Sequence, residues 1–134
     1  MAAYQATEFS APVVHYLRRN VSEADEGLGA LTVGVLPAGA IVVGSGIIVS
    51  TAFNGTSPIA QIGTSGDTDG FATNLALGTI GNIVWDELAT SNDLYSTSEV
   101  TVTTTVSATG NDSTAGYGVV YVSFVPNNGN GRTS

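Results

Sequence analysis

The chain has no cysteine and no lysine, and only one histidine and one tryptophan among its 134 residues. Without cysteine it can have neither a disulfide framework nor a thiolate nucleophile. Without lysine the phosphate loop GxxxxGK[ST] cannot be written, so its 17 glycines do not form one. A nucleophile would have to be Ser, Thr or a carboxylate. The only cations are Arg18, Arg19 and Arg132, set against 11 acidic residues for a formal net charge of -8. Nucleic acid and anionic membranes are therefore poor partners. Charged residues make up 10% of the chain, against about 25% in an ordinary soluble domain. Low charge with abundant Gly, Ser and Thr suits a surface that neighbours will cover. It also suits an acidic β protein kept soluble by net charge and hydroxyls.

Charge is missing most completely between Glu26 and Asp67, where there is no Asp, Glu, Lys or Arg. Such a run belongs in a membrane, in a packed β core or at a protein contact. Residues Leu28 to Phe53 have the length of a spanning helix, which needs about 20 apolar residues. They contain Gly29, Gly34, Gly39, Gly44, Gly46 and Pro37, and Gly and Pro oppose helix by about 1 and about 3 kcal/mol each. No cluster of Lys or Arg flanks the run as an orienting anchor. Its pattern is that of strands. Leu31, Val33 and Val35 alternate with Thr32 and Gly34, the period of a strand with one buried face. Ile41-Val42-Val43 and Ile47-Ile48-Val49 are β-branched, and Pro37-Ala38-Gly39 is a turn between strands.

The same reading continues along the chain. Asn54-Gly55 predicts a tight hairpin turn, Ile59 to Gly63 a short strand, and Gly66 to Gly70 another turn. Phe71 to Leu77 reads either as a strand or as a single helical turn, and Ile83-Val84-Trp85 as a further strand or edge. Val100, Val102, Val106 and Ala108 share one parity, interrupted by Thr104, with Thr101, Thr103 and Thr105 on the other. Tyr117 to Val125 is apolar on both parities, as in a central strand covered on both faces. Seven or eight short strands spaced by turns predict a sandwich or barrel. One domain is expected, in three parts: an N-terminal arm with an acidic loop over 1–27, a β domain over 28–126 and a flexible tail over 127–134. Met1 to Gln5 has neither the basic region nor the apolar core of a signal peptide, so folding in a cytosol is expected.

Few groups offer chemistry. His15, the one histidine, lies in the arm, and no GxSxG elbow accompanies it. Asp67/Asp69 and Asp86/Glu87 are the available carboxylate pairs for acid and base work, and both read better as solvated turn residues. Gly66-Asp67-Thr68-Asp69-Gly70 begins like a calcium loop, but Phe71 stands where the third acid belongs and Gly78 where the closing Glu belongs. Asp67 and Asp69 are thus weak metal candidates, and no metal or other cofactor is expected. Phe53, Phe71, Trp85, Tyr95, Tyr117, Tyr121 and Phe124 read as core in the main, with a carbohydrate site as the other use for them.

Several segments together resemble small virion proteins of tailed bacteriophages. They are Leu36-Pro37-Ala38-Gly39-Ala40-x-Val42-Val43, Ile47-x-Val49-x-Thr51-Ala52-Phe53-Asn54-Gly55, Ile62-Gly63 and Asp67-Thr68-Asp69-Gly70-Phe71, followed by the strands from Val100 to Ala108 and Tyr117 to Val125. The likeness spans residues 31–125 and is one of turns and strand spacing. Proteins of this kind include capsid decoration, or cement, proteins and some tail or fibre components. The resemblance implies an all-β, antiparallel β-sandwich of jelly-roll type with an extended N-terminal arm. It implies a non-enzymatic protein that binds between capsid subunits on the virion surface after synthesis in the bacterial cytoplasm. Its partners would be the major capsid protein and itself, as a homotrimer. The alternative is a tail or fibre module that binds a host-surface glycan. In either case the arm is the expected contact, through Val13, Val14, His15, Tyr16, Leu17, Arg18 and Arg19. Such an arm can add a strand to a neighbour's sheet edge, its arginines pairing with the partner's carboxylates. The competing arrangement is an arm strand folded onto its own domain.

Overall fold

A computed structural model describes residues 14–85 and 94–126. Among the described residues, eight strands form two four-stranded antiparallel sheets. They are β1 (His15–Ser22), β2 (Leu31–Leu36), β3 (Ile41–Thr51), β4 (Ile59–Thr64), β5 (Ala72–Ala76), β6 (Gly81–Trp85), β7 (Val100–Ser107) and β8 (Tyr117–Val125). One sheet has the order β1-β8-β3-β6 and the other β2-β7-β4-β5. Facing sheets in these two orders make an eight-stranded jelly roll, a β-sandwich whose chain crosses from one sheet to the other at most connections. The expected all-β, antiparallel sandwich of jelly-roll type is the observed one; residues 1–13 of the expected extended arm lie outside the described residues. A 3-10 turn, Glu23–Asp25, is the helical element among the described residues.

The core lies between the sheets and is built from alternate residues of each strand. Ile47, Val49, Val120 and Val122 from the first sheet meet Ile62, Val102, Val106 and Ala60 from the second. Phe71 and Leu77, which flank β5, are completely buried beside them. Burying each such side chain stabilises the fold by about 1.5–3 kcal/mol. Two hydroxyls enter this core with partners. Ser45 Oγ donates to the Phe71 carbonyl at 2.7 Å, and Thr104 Oγ1 donates to the Gln61 carbonyl at 2.8 Å. The second bond explains why a threonine interrupts the valines of β7 on its buried side: it faces inward with its hydroxyl satisfied.

The structure departs from the sequence pattern in three places and decides one alternative. Leu31, Val33 and Val35 do not share a buried face. A bulge between Thr32 and Gly34 shifts the phase of β2, so Val33 and Leu36 are buried and Val35 is exposed. Asn54-Gly55 does not close a hairpin, because β3 and β4 lie in different sheets. Of residues 71–77, read as strand or helical turn, Ala72–Ala76 form strand β5. β8 is central, between β1 and β3, but only one of its faces is covered, and Tyr117 on the other is exposed.

The chain enters the sandwich earlier than the expected boundary at 27. His15–Ser22 pairs with β8 along its whole length, from His15 opposite Phe124 to Ser22 opposite Tyr117. Val21 is buried in the core, and Leu17 packs against Gly34 of β2, where an added Cβ would lie 3.0 Å from Leu17 Cδ2. An apolar side chain at alternate positions is what lets this segment serve as a strand of its own domain. Ser22 then caps the 3-10 turn, its Oγ accepting from Ala24 N while Asp25 accepts from Ser22 N at 2.8 Å.

Candidate functional site

The described carboxylates all lie outside the strands. Glu23, Asp25, Glu26 and Asp112 belong to the β1–β2 and β7–β8 connections, and Asp67, Asp69 and Glu99 to connections at the opposite end. None of the eight strands contains Asp or Glu, and the cations within strands are Arg18 and Arg19 of β1. Among the described residues no strand places an acid on either sheet face, and the Asp67–Asp69 connection alone folds back over a face, at Gly63 of the β2-β7-β4-β5 sheet.

These two faces differ in character. The outer face of the β2-β7-β4-β5 sheet carries Thr101, Thr105, Ser107 and Gln61, with Thr103 of the same parity buried. The outer face of the β1-β8-β3-β6 sheet carries Tyr16, Ile41, Val43, Ile48, Val84 and Tyr117, each between 41% and 61% exposed. A largely aliphatic and aromatic sheet face open to water, with Arg18 as its described charge, marks a surface built for contact. Across it runs a groove of about 370 Å³ lined by Tyr16, Arg18, Ile48, Asn82, Val119 and Tyr121. The rings of Tyr16 and Tyr121 meet edge to face at 6.3 Å. Tyr121 Oη donates to Asn82 Oδ1 at 3.0 Å. Partial burial pushes the Tyr121 phenol above its ordinary pKa of 10.0; the Asn82 hydrogen bond offsets this in part and the neighbouring Tyr16 adds to it.

The residues expected to form an arm contact divide between the two sides of β1, as strand alternation requires. Val14, Tyr16 and Arg18 are exposed, with Tyr16 and Arg18 lining the groove. His15, Leu17 and Arg19 lie on the side toward their own domain, Leu17 and Arg19 half-buried and His15 still exposed. The His15 ring lies 5.7 Å from that of Phe124, and Arg19 Nη1 donates to the Thr32 carbonyl of β2 at 2.9 Å. Arg19 thereby spans the two sheets at their β1 and β2 edges. Val13 lies outside the described residues, as do Asp86 and Glu87. Ile48, Asn82, Val84 and Val119 complete the face. Nothing in their local sequence separates an outward aliphatic position from an inward one, because Ile47 and Ile48 alternate sides within one β-branched run.

Asp67 and Asp69 are exposed in a tight connection between β4 and β5. Thr64 N donates to the Asp67 carbonyl at 2.8 Å, Asp67 N returns a bond to Thr64 O, and Gly70 N donates to Asp67 O. The connection folds directly over Gly63, where any Cβ would collide with the Asp67 carbonyl oxygen. Its carbonyls and amides are occupied by this turn. Among the described residues no group of three His, Asp or Glu side chains is placed to hold a metal ion. Of the aromatics, Phe53, Phe71 and Phe124 are core, while Tyr95, Tyr117 and part of Tyr121 are on the surface.

No family model and no curated protein matches this chain. Solved structures do. One chain of the capsid asymmetric unit of cyanophage Pam1 superposes with a TM-score of 0.63 at 19% identity, over 88% of this chain and 88% of that one. One chain of the acid-stable capsid of Helicobacter pylori bacteriophage KHP30 superposes with a TM-score of 0.54 at 17% identity, over 86% and 89%. The chain therefore shares its fold, nearly end to end, with chains found in two bacteriophage capsids.

Proposed function

We propose that this protein is a structural component of a bacteriophage virion, one that decorates and stabilises the capsid by binding between capsid subunits. It acts without catalysis, on the capsid surface, as a homotrimer whose other partner is the major capsid protein. The observation that carries the reading is the acid-free, largely apolar outer face of the β1-β8-β3-β6 sheet, which leaves Ile48, Val84 and Tyr16 open to water beside the cation Arg18. The likeness to capsid chains supports it, and nearly equal coverage of both partners means that those chains have about this length. The absence of cysteine and lysine from the sequence agrees with an architectural role.

The test is binding of the full chain to empty capsids that lack it. Wild type is expected to bind saturably and to scatter light as a trimer. Ile48→Asp and Val84→Asp, at exposed positions, should keep the unfolding temperature and lose binding, while Thr101→Asp on the other sheet should keep both. A monomer at high concentration that ignores capsids would sink the proposal. The groove with its two tyrosines, Arg18 and Asn82 also favours a second reading, a tail or fibre module that holds a glycan against aromatic faces. A reproducible hit on a glycan array that Tyr16→Ala abolishes would select it.

A further inference from the structure

Four strands lie at sheet edges: β1 and β6 in one sheet, β2 and β5 in the other. An edge presents unpaired backbone N–H and C=O groups, which proteins commonly blunt with short strands or bulges. Three of these edges are blunted. β5 and β6 have five residues each, and β2 has six with a bulge between Thr32 and Gly34. β1 has eight residues and keeps an unbroken register with β8. Among the described residues, no strand pairs with its other side. Among the described edge strands it is the long, regular one.

The side chains along that edge say what kind of strand it would accept. Arg18 stands on the outer face, and no described carboxylate pairs with it. A second copy is poorly matched. In a two-fold antiparallel pairing within one continuous sheet, opposed residues share parity. The two registers that overlap most place Arg18 against Arg18 or Arg19 against Arg19, and like charges directly opposite are destabilising. No described strand of the chain carries an acid to offer instead.

We propose that the free edge of β1 is a strand-addition site for an extended segment of another protein. That segment carries a carboxylate opposite Arg18 and, two residues away, an apolar side chain opposite Tyr16. Backbone hydrogen bonds along β1 supply the attachment. The Arg18 pair sets the register, and the apolar side chain packs on the Tyr16 ring at the mouth of the groove. The arginine pair at mid-strand has a second effect, since it turns the same edge away from copies of itself. The site deepens the capsid reading and rests on it only for the source of the segment, a shell protein.

The probe is a capped peptide of alternating Val and Thr with one central Glu, titrated into the full-length isotope-labelled protein and followed by amide chemical shifts. The Glu peptide should shift the amides of His15–Ser22. Its Lys counterpart should bind about tenfold more weakly, and Arg18→Glu should reverse that preference. Methylating alternate backbone nitrogens of the Glu peptide should abolish binding with the side chains unchanged. If Arg18→Glu loses the folded spectrum, Arg18→Gln replaces it and should erase the preference. Three results would overturn the proposal: no shift in β1 at millimolar peptide, equal affinity for the two peptides, or β1 shifts that follow protein concentration with no peptide present. The last would mean that a second copy takes the edge. No capsid enters this titration, so a positive result beside failed capsid binding counts against the shell role and not against the edge.

Discussion

Tyr121 crosses the backbone of Gly46 to reach Asn82. A Cβ placed on Gly46 would lie 2.8 Å from the Tyr121 hydroxyl and 2.5 Å from the Ile83 carbonyl oxygen. The missing side chain on β3 is what allows a tyrosine of β8 to lie across the sheet face and form one side of the groove. Gly46→Ala is therefore expected to displace the ring and strain the β3–β6 pairing, at a cost of about 1–3 kcal/mol in urea unfolding. A cost below about 0.5 kcal/mol would mean that the face is not packed in this way.

The same tyrosine predicts a pH dependence. Its folded pKa lies above the unfolded value of 10.0 because burial disfavours the phenolate. The folded state holds the proton more tightly, so this contribution is fully present below pH 10.0 and is lost as pH rises through the higher folded value. Absorbance titration should show one tyrosine ionising later than the others. Tyr121→Phe should remove it and flatten the fall of stability in alkali.

At one end of the sandwich Glu26 ties two connections together. Ser113 donates to it through both its N–H and its Oγ at 2.7 Å, and Ser113 Oγ accepts in turn from Gly55 N at 2.8 Å. Glu26→Ala leaves the buried Ser113 donors unsatisfied and should cost about 1–3 kcal/mol. Asp112→Ala, one residue from Ser113 but exposed, should change stability by no more than about 0.5 kcal/mol. Equal effects in thermal unfolding would contradict the assignment.

Calcium should not raise the unfolding temperature, and Asp67→Asn with Asp69→Asn should leave it unchanged, because both carboxylates are exposed and their turn is held by backbone bonds. Gly63→Ala should be far more damaging, since the turn cannot clear a methyl group there. A calcium-dependent shift lost in the double variant would restore the metal reading.

Removing residues 1–20 should destabilise the whole domain. It takes away most of β1, including Leu17 against Gly34 and Arg19 against Thr32, and exposes one side of β8. A truncated chain with an unchanged unfolding midpoint would show that β1 is dispensable.

Much of this fold was legible from local pattern. The threonine and valine parities of β7 set its two faces correctly, because a pleated strand alternates without exception unless a bulge intervenes. Where a bulge does intervene, at Thr32 to Gly34, the parity of Leu31, Val33 and Val35 misled, since nothing local marks an extra residue. The Asn54-Gly55 pair misled for a related reason. A turn-forming dipeptide sets backbone angles, whereas the partner of the next strand is chosen by the packing of the whole sandwich. Of the anticipated contact residues, Tyr16 and Arg18 emerge on the surface, while Leu17 and Arg19 are spent within the domain. The sequence contained the alternation but not the side on which β8 would pair.

The sequence by itself determined that this protein has no thiol, amine or phosphate-loop chemistry, that it is acidic, and that it is made of strands. Those conclusions follow from composition and from a two-residue period that each strand carries internally. Only the tertiary structure decided which β-branched residues face water. A run such as Ile47-Ile48-Val49 is apolar on both sides, and burial is settled by which strand lies opposite. Pairing β3 between β8 and β6 sends Ile47 into the core and leaves Ile48 on an open face. That pairing joins residues as far apart in the chain as Ile41 and Val125, beyond the reach of any local signal.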